Sequence, residues 1–314
     1  MDLHASTRHL DALFDMLTLT DKLIHAYSLG TERVEDAMEM VRIAAGLTPE
    51  EFEAAPRMFT NINSSSPLKH DWPMLDGAMR HARRNQLVIV TPFTLSGAMA
   101  PVTLAGALAQ QTAECLACLA LLQLVRPGAP VAYGSFTSNV EMRSGAPAFG
   151  TPEYVRATQI SGQLARHYRL PWRASNANAA NCPDPQATWE SAASLWACST
   201  ARANIVYHAA GWLEGGLCAS FEKVVIDCEM LQQLAAYHQP VGVSEEDLAV
   251  EAIREVGPSG HFLGADHTQA RYKTAFYSPF LSDWSNFETW EEGGSVETAR
   301  RANRLFRRLL DEYQ

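Results

Sequence analysis

The side chains able to do chemistry in this 314-residue chain collect in short stretches that follow extended, apolar runs. Asn61 and Asn63 open NINSSSP (61–67), and Thr91 opens TPFTLSGAMAP (91–101). Tyr133, Ser135 and Phe136 open YGSFTSNVEMRSGAPAFGTPE (133–153), and Ser175 and Asn176 open SNANAANCPDPQA (175–187). Tyr207, His208, Trp212, Glu214 and Glu222 fall in YHAAGWLEGGLCASFEK (207–223). Charges are few, while amides, hydroxyls and aromatic rings are many. Such a lining suits a small cation, because aromatic faces attract a quaternary ammonium and a carboxylate nearby complements it. Each residue also has a plainer reading. Asn and Ser after a strand cap helices and turns. His208 on an apolar strand reads as a core histidine with its bonds satisfied, and Glu214 as a surface carboxylate. Glu222 reads as favouring a helix N-terminus, and the aromatics as core. Only the recurrence at one strand end after another argues for a site.

The elements that must position these groups alternate. Strands are expected at Lys22–Ser28, Met58–Asn63, Leu87–Thr91, Val131–Phe136, Trp172–Asn176 and Ile205–Ala209. Helices are expected at Thr31–Ala45, Met74–Arg84, Val102–Val125, Pro152–Tyr168, Gln186–Thr200, Phe221–Tyr237, Glu245–Val256 and within Glu288–Tyr313, with an ordered loop over Gly257–Trp284. LVIVT (87–91) is a continuous apolar run, as a strand covered on both faces requires. A strand-then-helix rhythm implies parallel strands with helical crossovers. No GxGxxG or GxxxxGK[ST] occurs, which argues against an open nucleotide-binding sheet. Polar residues at successive strand ends instead fit a (β/α)8 TIM barrel, whose chemistry is built at the C-terminal tips. Only six strands are evident, and a helical segment (9–17) precedes the first. The expectation is therefore a barrel incomplete at its N-terminus over residues 1–240, with a C-terminal helical extension over 241–314.

The formal net charge is −10, and the only dense basic cluster is Arg300, Arg301, Arg304, Arg307 and Arg308. These arginines recur at helical spacing beside Leu305, Leu309 and Leu310, as on the solvated face of a terminal helix, so no nucleic-acid partner is expected. The six cysteines read as free thiols in a reducing, cytoplasmic setting, and Cys115-x-x-Cys118 reads as one apolar helix face rather than a redox or metal motif. No window of about 18 uninterrupted apolar residues suggests a membrane span, and the N-terminus lacks the order of a secretion signal. No metal-ligand cluster, GxSxG elbow or phosphate loop stands out.

Four further stretches are more specific: MRSGAPAFGTPE (142–153), RHYRLPWR (166–173), PDPQATWE (183–190) and NIVYHAAGWLEGGLCASFEKVVIDCEML (204–231). From about Lys22 to the C-terminus the chain resembles the trimethylamine:corrinoid methyltransferase family. The resemblance implies a TIM-barrel enzyme that takes a methyl group from a methylated amine and delivers it to the Co(I) of a separate corrinoid protein. It implies no tightly bound cofactor and no bound metal in this chain. It also implies an N-terminal portion extending before the position of Met1. Archaeal trimethylamine enzymes of the family contain pyrrolysine, whereas this chain has only standard residues. That resembles the pyrrolysine-free branch and favours a quaternary amine such as glycine betaine over trimethylamine.

His208, inside the most family-like stretch, is assigned to face the substrate, with Glu222 as its catalytic companion. Asn61, Thr91, Tyr133, Ser135, Phe136, Asn176, Tyr207 and Glu214 are assigned to substrate binding. Two other readings stay open. A lyase or aldolase on the same barrel would need a Schiff-base lysine, for which Lys22, Lys69 and Lys223 are available, or a metal cluster. A non-catalytic amine-binding subunit would need only an incomplete mouth. The amine, the corrinoid protein and self-association into a homo-oligomer are left open by the sequence.

Overall fold

Runs rich in Val, Ile and aromatic residues become strands, and each is followed by a longer amphipathic segment that must fold back over the sheet to cover its apolar face. The computed structural model describes residues 4–313 and bears out that rhythm. β1 (Ile24–His25), β2 (Met58–Ile62), β3 (Leu87–Val90), β4 (Val131–Gly134), β5 (Trp172–Ser175) and β6 (Ile205–Tyr207) form one six-stranded sheet in that spatial order. Every neighbouring pair in it is parallel. α1 (Arg8–Leu19) precedes it, and α2 (Thr31–Ala44), α3 (Trp72–Arg83), α4 (Leu104–Val125), α5 (Pro152–His167) and α6 (Pro185–Thr200) make the crossovers. Helix starts follow the local sequence. Thr151 Oγ1 accepts the Tyr154 N–H at 3.2 Å, and Asp184 Oδ1 accepts the Ala187 N–H at 3.1 Å, each followed by a proline in the first turn.

The outer face of the sheet packs on these helices. Ile62, Val88, Val90, Tyr133, Trp172 and Ala174 meet Ala78 and Ala82 of α3, Cys115, Cys118, Leu119 and Leu122 of α4, Ala165 of α5 and Cys198 of α6. By length and composition α4 could cross a membrane. Here it is a crossover helix whose buried Gln111 and Glu114 carry hydrogen bonds, while Cys115 and Cys118 are free thiols facing the sheet.

The inner face carries Phe59, Ile89 and Ala132, packed with Leu87, Ile205 and Tyr207. A flat six-stranded sheet would hold its outer strands about 24 Å apart, at about 4.8 Å per step. Yet the rings of His25 on β1 and Tyr207 on β6 lie 5.4 Å apart. The sheet is therefore curled into a partial barrel with both edge strands leaning toward a common interior. This is an α/β fold with six barrel-like strands, two short of a closed (β/α)8 barrel.

Three features differ from the sequence expectation. Small accessory strands decorate the loops after β3, β4 and β6: Leu95–Ser96, Ser138–Val140 and Pro147–Ala148 form a second sheet, and Trp212–Leu213 pairs with Cys218–Ala219. They are too short for periodicity to reveal. The chain also divides into compact units Met1–Ala219 and Ser220–Gln314, so the boundary falls before α7 (Phe221–Tyr237) rather than at 240. In the second unit α7 packs on α8 (Thr298–Glu312) through Val225, Ile226, Leu281 and Ala302. The segment read as loop contains a short helix, Asp266–Arg271.

Candidate active site at the strand tips

Because side chains alternate along a strand, register decides which polar groups enter the curled interior. His25 pairs with Phe59, Asn61 with Ile89, Gly134 with Arg173, and Ser175 with Tyr207, so all of these share the inner face. Thr91 Oγ1–H donates to Asn61 Oδ1 at 2.6 Å, tying β2 to the loop after β3. That approach needs glycine at 134, since a Cβ there would lie 2.0 Å from Thr91 Oγ1.

On the opposite wall, β6 ends at Tyr207 and the backbone turns sharply. His208 follows with φ +53°, the left-handed region. Its ring stacks on Trp212, centroids 4.0 Å apart and planes 12° apart, and stands 5.9 Å from Phe136 and 5.4 Å from Tyr207. Trp212 can lie flat there because residue 216 is glycine; a Cβ would sit 2.0 Å from the indole ring. Phe136 stacks on Phe93 at 5.2 Å and leans on Phe149 and Trp212, so an aromatic wall runs along this side.

One cation stands among these rings. Arg173 is 2% exposed, with its guanidinium carbon 4.3 Å from the Tyr207 ring centroid and 5.7 Å from that of Phe136. Burial lowers its pKa to about 10, which leaves it charged at neutral pH. Burial first, and then the neighbouring Arg173 charge, lower His25 to about 4 and His208 to about 3. Both imidazoles are therefore neutral at pH 7.

The same region holds a concentration of buried polar atoms without hydrogen-bond partners: His25 Nε2, Arg173 Nε, Ser175 Oγ, Asn176 Oδ1, Tyr207 OH and His208 Nδ1. Buried polar atoms are normally satisfied, so this cluster has open donors and acceptors to offer a water or a polar ligand. A cleft of about 700 Å³ runs beside β1, lined by Leu13, Met16, His25, Tyr27 and Leu29.

The residues singled out from sequence divide accordingly. His208, Tyr207, Phe136 and Asn176 surround the unsatisfied cluster, and Asn61 and Thr91 lie on the inner face across from them. Asn176 Nδ2 is held by Ser191 Oγ at 3.0 Å and the Ala209 carbonyl at 3.3 Å, leaving Oδ1 free to accept.

Tyr133 points the other way, into the sheet–helix core, where its hydroxyl meets Gln111 Nε2 at 3.0 Å and Thr112 Oγ1 at 2.9 Å. Ser135 Oγ accepts the Trp172 indole N–H at 2.9 Å, and only its carbonyl turns inward, to Arg173 Nη1. Both follow from alternation, since they flank the inward Gly134. Glu214 is exposed beyond the turn. Glu222 belongs to the second unit, where its carboxylate accepts from Ser220 Oγ at 2.7 Å and Asn303 Nδ2 at 2.6 Å.

Sequence reasoning passed over Arg173 and His25. The signal was the register of β5 and β6, which cannot be set without knowing which face of each strand is inner. None of the lysines named for a Schiff base lies on a strand of the curled sheet. Lys22 and Lys69 are exposed, and Lys223 is buried in the second unit against Asp227. Among the described residues no group of His, Cys, Asp and Glu is arranged to hold a metal.

A family profile described as trimethylamine methyltransferase (MTTB) matches residues 1–314. The chain belongs to that family. A glycine betaine methyltransferase of Desulfitobacterium hafniense (strain Y51) is 36% identical over 313 residues, 99% of this chain and 65% of the relative. A trimethylamine methyltransferase MttB of Desulfitobacterium hafniense (strain DSM 10664 / DCB-2) is 31% identical over 288 residues, 91% of this chain and 58% of that protein. Trimethylamine methyltransferase MttB2 of Methanosarcina mazei is 33% identical over 296 residues, 94% of this chain and 59% of that protein. The chain thus spans less than two thirds of the length of these curated relatives. Membership of a methyltransferase family agrees with the resemblance read from the four sequence stretches.

Proposed function

We propose that this chain transfers a methyl group from a methylated amine, with a quaternary amine of the glycine betaine type favoured, to the Co(I) of a separate corrinoid protein. The cluster of unsatisfied polar atoms beside an aromatic wall carries the reading. It offers rings for a methylated ammonium and polar groups for the rest of a small substrate.

The chemistry asks little of acids and bases. Displacement at a methyl carbon of a quaternary ammonium releases a neutral tertiary amine, which needs no proton. Neutral His208 and uncharged Asn176, Tyr207 and Asn61 fit such a step, since their task is to orient the C–N bond and exclude water. The cobalt would supply the nucleophile. In this reading the chain is host to the amine, and the acceptor is carried by another protein. Similarity to a glycine betaine methyltransferase and to trimethylamine methyltransferases supports the same class of donor.

The test is methylation of cob(I)alamin, or of a co-expressed corrinoid protein, followed by its absorbance. Glycine betaine, carnitine and trimethylamine serve as donors. Transfer from glycine betaine is expected; silence with every methylated amine removes the enzymatic reading.

A further inference from the structure

Among the described residues Arg173 is a cation without a counter-charge. It comes from the RHYRLPWR stretch and is carried by β5 onto the inner face, where alternation with Trp172 and Ala174 fixes its direction. None of the ion pairs among the described residues involves it. Its titratable neighbours are the phenols of Tyr154, Tyr207 and Tyr27, the Cys198 thiol and the neutral imidazoles of His25 and His208, none of them an anion at neutral pH. Nη1 reaches the Ser135 carbonyl at 3.3 Å, while Nε has no partner. Taking a guanidinium out of water costs several kcal/mol unless an anion and hydrogen bonds offset it, and two rings supply only part of that.

We propose that Arg173 is the specificity-determining anchor for the carboxylate of a zwitterionic methylated amine, so that the site selects betaines over amines lacking a carboxylate. The inference rests on the reading above that the interior takes a methylated amine. A planar guanidinium meets a carboxylate with two parallel N–H···O bonds, and the unpartnered Nε is one of the two donors such a fork uses. Ser175 lies two residues along the same face, and Tyr207 pairs with it across the sheet. Both hydroxyls are unpartnered and able to donate to the same anion. The trimethylammonium end then lies toward Phe136, Trp212 and His208, where the rings are and where neutral His208 adds no repulsion. A carboxylate held this way also fixes the bearing of the C–N bond.

Equilibrium binding to the full chain, by calorimetry with no corrinoid protein present, separates this from the catalytic proposal. Glycine betaine and choline share the trimethylammonium group and differ in carboxylate against alcohol. The wild type is expected to bind glycine betaine about 30-fold more tightly than choline, in the range of one charge-assisted pair. Arg173→Gln should lose that margin on glycine betaine while leaving choline unchanged, and Arg173→Lys should retain part of it. Circular dichroism and thermal unfolding show whether each variant folds. If neither does, the wild-type comparison decides. Equal binding of the two ligands, no binding of either, or an intact margin in folded Arg173→Gln overturns the assignment. A preserved margin in the wild type, lost in the variant, with no methyl transfer to cob(I)alamin, leaves the anchor standing and removes only the methyltransferase reading.

Discussion

His25 and Tyr207 sit on opposite edge strands of a six-stranded parallel sheet, yet their rings stand 5.4 Å apart. That contact is what makes a sheet with two free edges into a basin. Phe59, tilted against His25 at 5.1 Å and edge-on to Tyr207 at 6.1 Å, completes its apolar floor. Replacing Tyr207 by Leu should therefore act on the site through shape. It removes the ring beneath Arg173 and the partner of His25 while keeping apolar bulk. Methyl transfer and betaine binding are both expected to weaken by about tenfold, in line with one lost cation–π contact. Unfolding by urea is expected to move little, and a large loss of stability with intact binding would contradict this role.

His208 is best tested with asparagine, which tolerates the left-handed backbone and keeps a polar group in place. His208→Asn is expected to lower kcat by up to about 100-fold, the scale of a misplaced reacting group, with a smaller effect on KM. Because His208 stays neutral down to about pH 3, kcat/KM should show no inflection from it between pH 6 and 8. An inflection near 6.5 that vanishes in His208→Asn would mean the imidazole titrates, and the orienting role would be wrong.

The buried imidazole of His81 links stability to pH. Its pKa falls from 6.5 to about 4 on folding, chiefly through burial, although its Nδ1–H donates to the Gly77 carbonyl at 2.9 Å. The unfolded chain then holds a proton that the folded chain does not. Stability from this source is complete above about pH 6.5 and drains as pH falls toward 4, by on the order of 3 kcal/mol at most. His25 shifts in the same direction. Urea midpoints measured from pH 7.5 to 4.5 should decline, and His81→Gln should flatten the slope.

Gly134→Ala places a methyl group 2.0 Å from Thr91 Oγ1 and 2.7 Å from the Val90 carbonyl. Relief requires β4 or the Thr91 loop to move, at a cost of about 1–3 kcal/mol. Lost methyl transfer with an unchanged urea midpoint would show that the crowding is relieved locally.

Glu222→Gln separates bracing from catalysis. The two hydrogen bonds to Ser220 and Asn303 are its visible work, so the variant should lose about 1 kcal/mol of stability and keep kcat. A drop in kcat at unchanged stability would restore it to the catalytic machinery.

Much of the frame was legible in the sequence because its signals are local. Apolar runs put six strands at the expected places, and the helices expected to start at Pro152 and Gln186 start at Pro152 and Pro185. The site was only half legible. His208, Tyr207, Asn176 and Phe136 stand out among the residues at or just past the end of each strand. Tyr133 and Ser135 could not be excluded that way, because a shift of one residue changes the face a side chain meets. Arg173 was hidden for the same reason: in the sequence it is one more charge before a polar loop. The unit boundary at 219/220 was hidden too, since α7 follows β6 in the chain just as a further crossover helix would.

The left-handed backbone at His208 has an implication for redesign. Valine, isoleucine and threonine are strongly disfavoured at that φ, while glycine, asparagine and aspartate adopt it at little cost. The alphabet open to position 208 is thus set by the bend after β6 before any ligand is considered. A library meant to retune the amine should vary Phe136 and Trp212 around a fixed 208, since those rings can change size without straining the main chain.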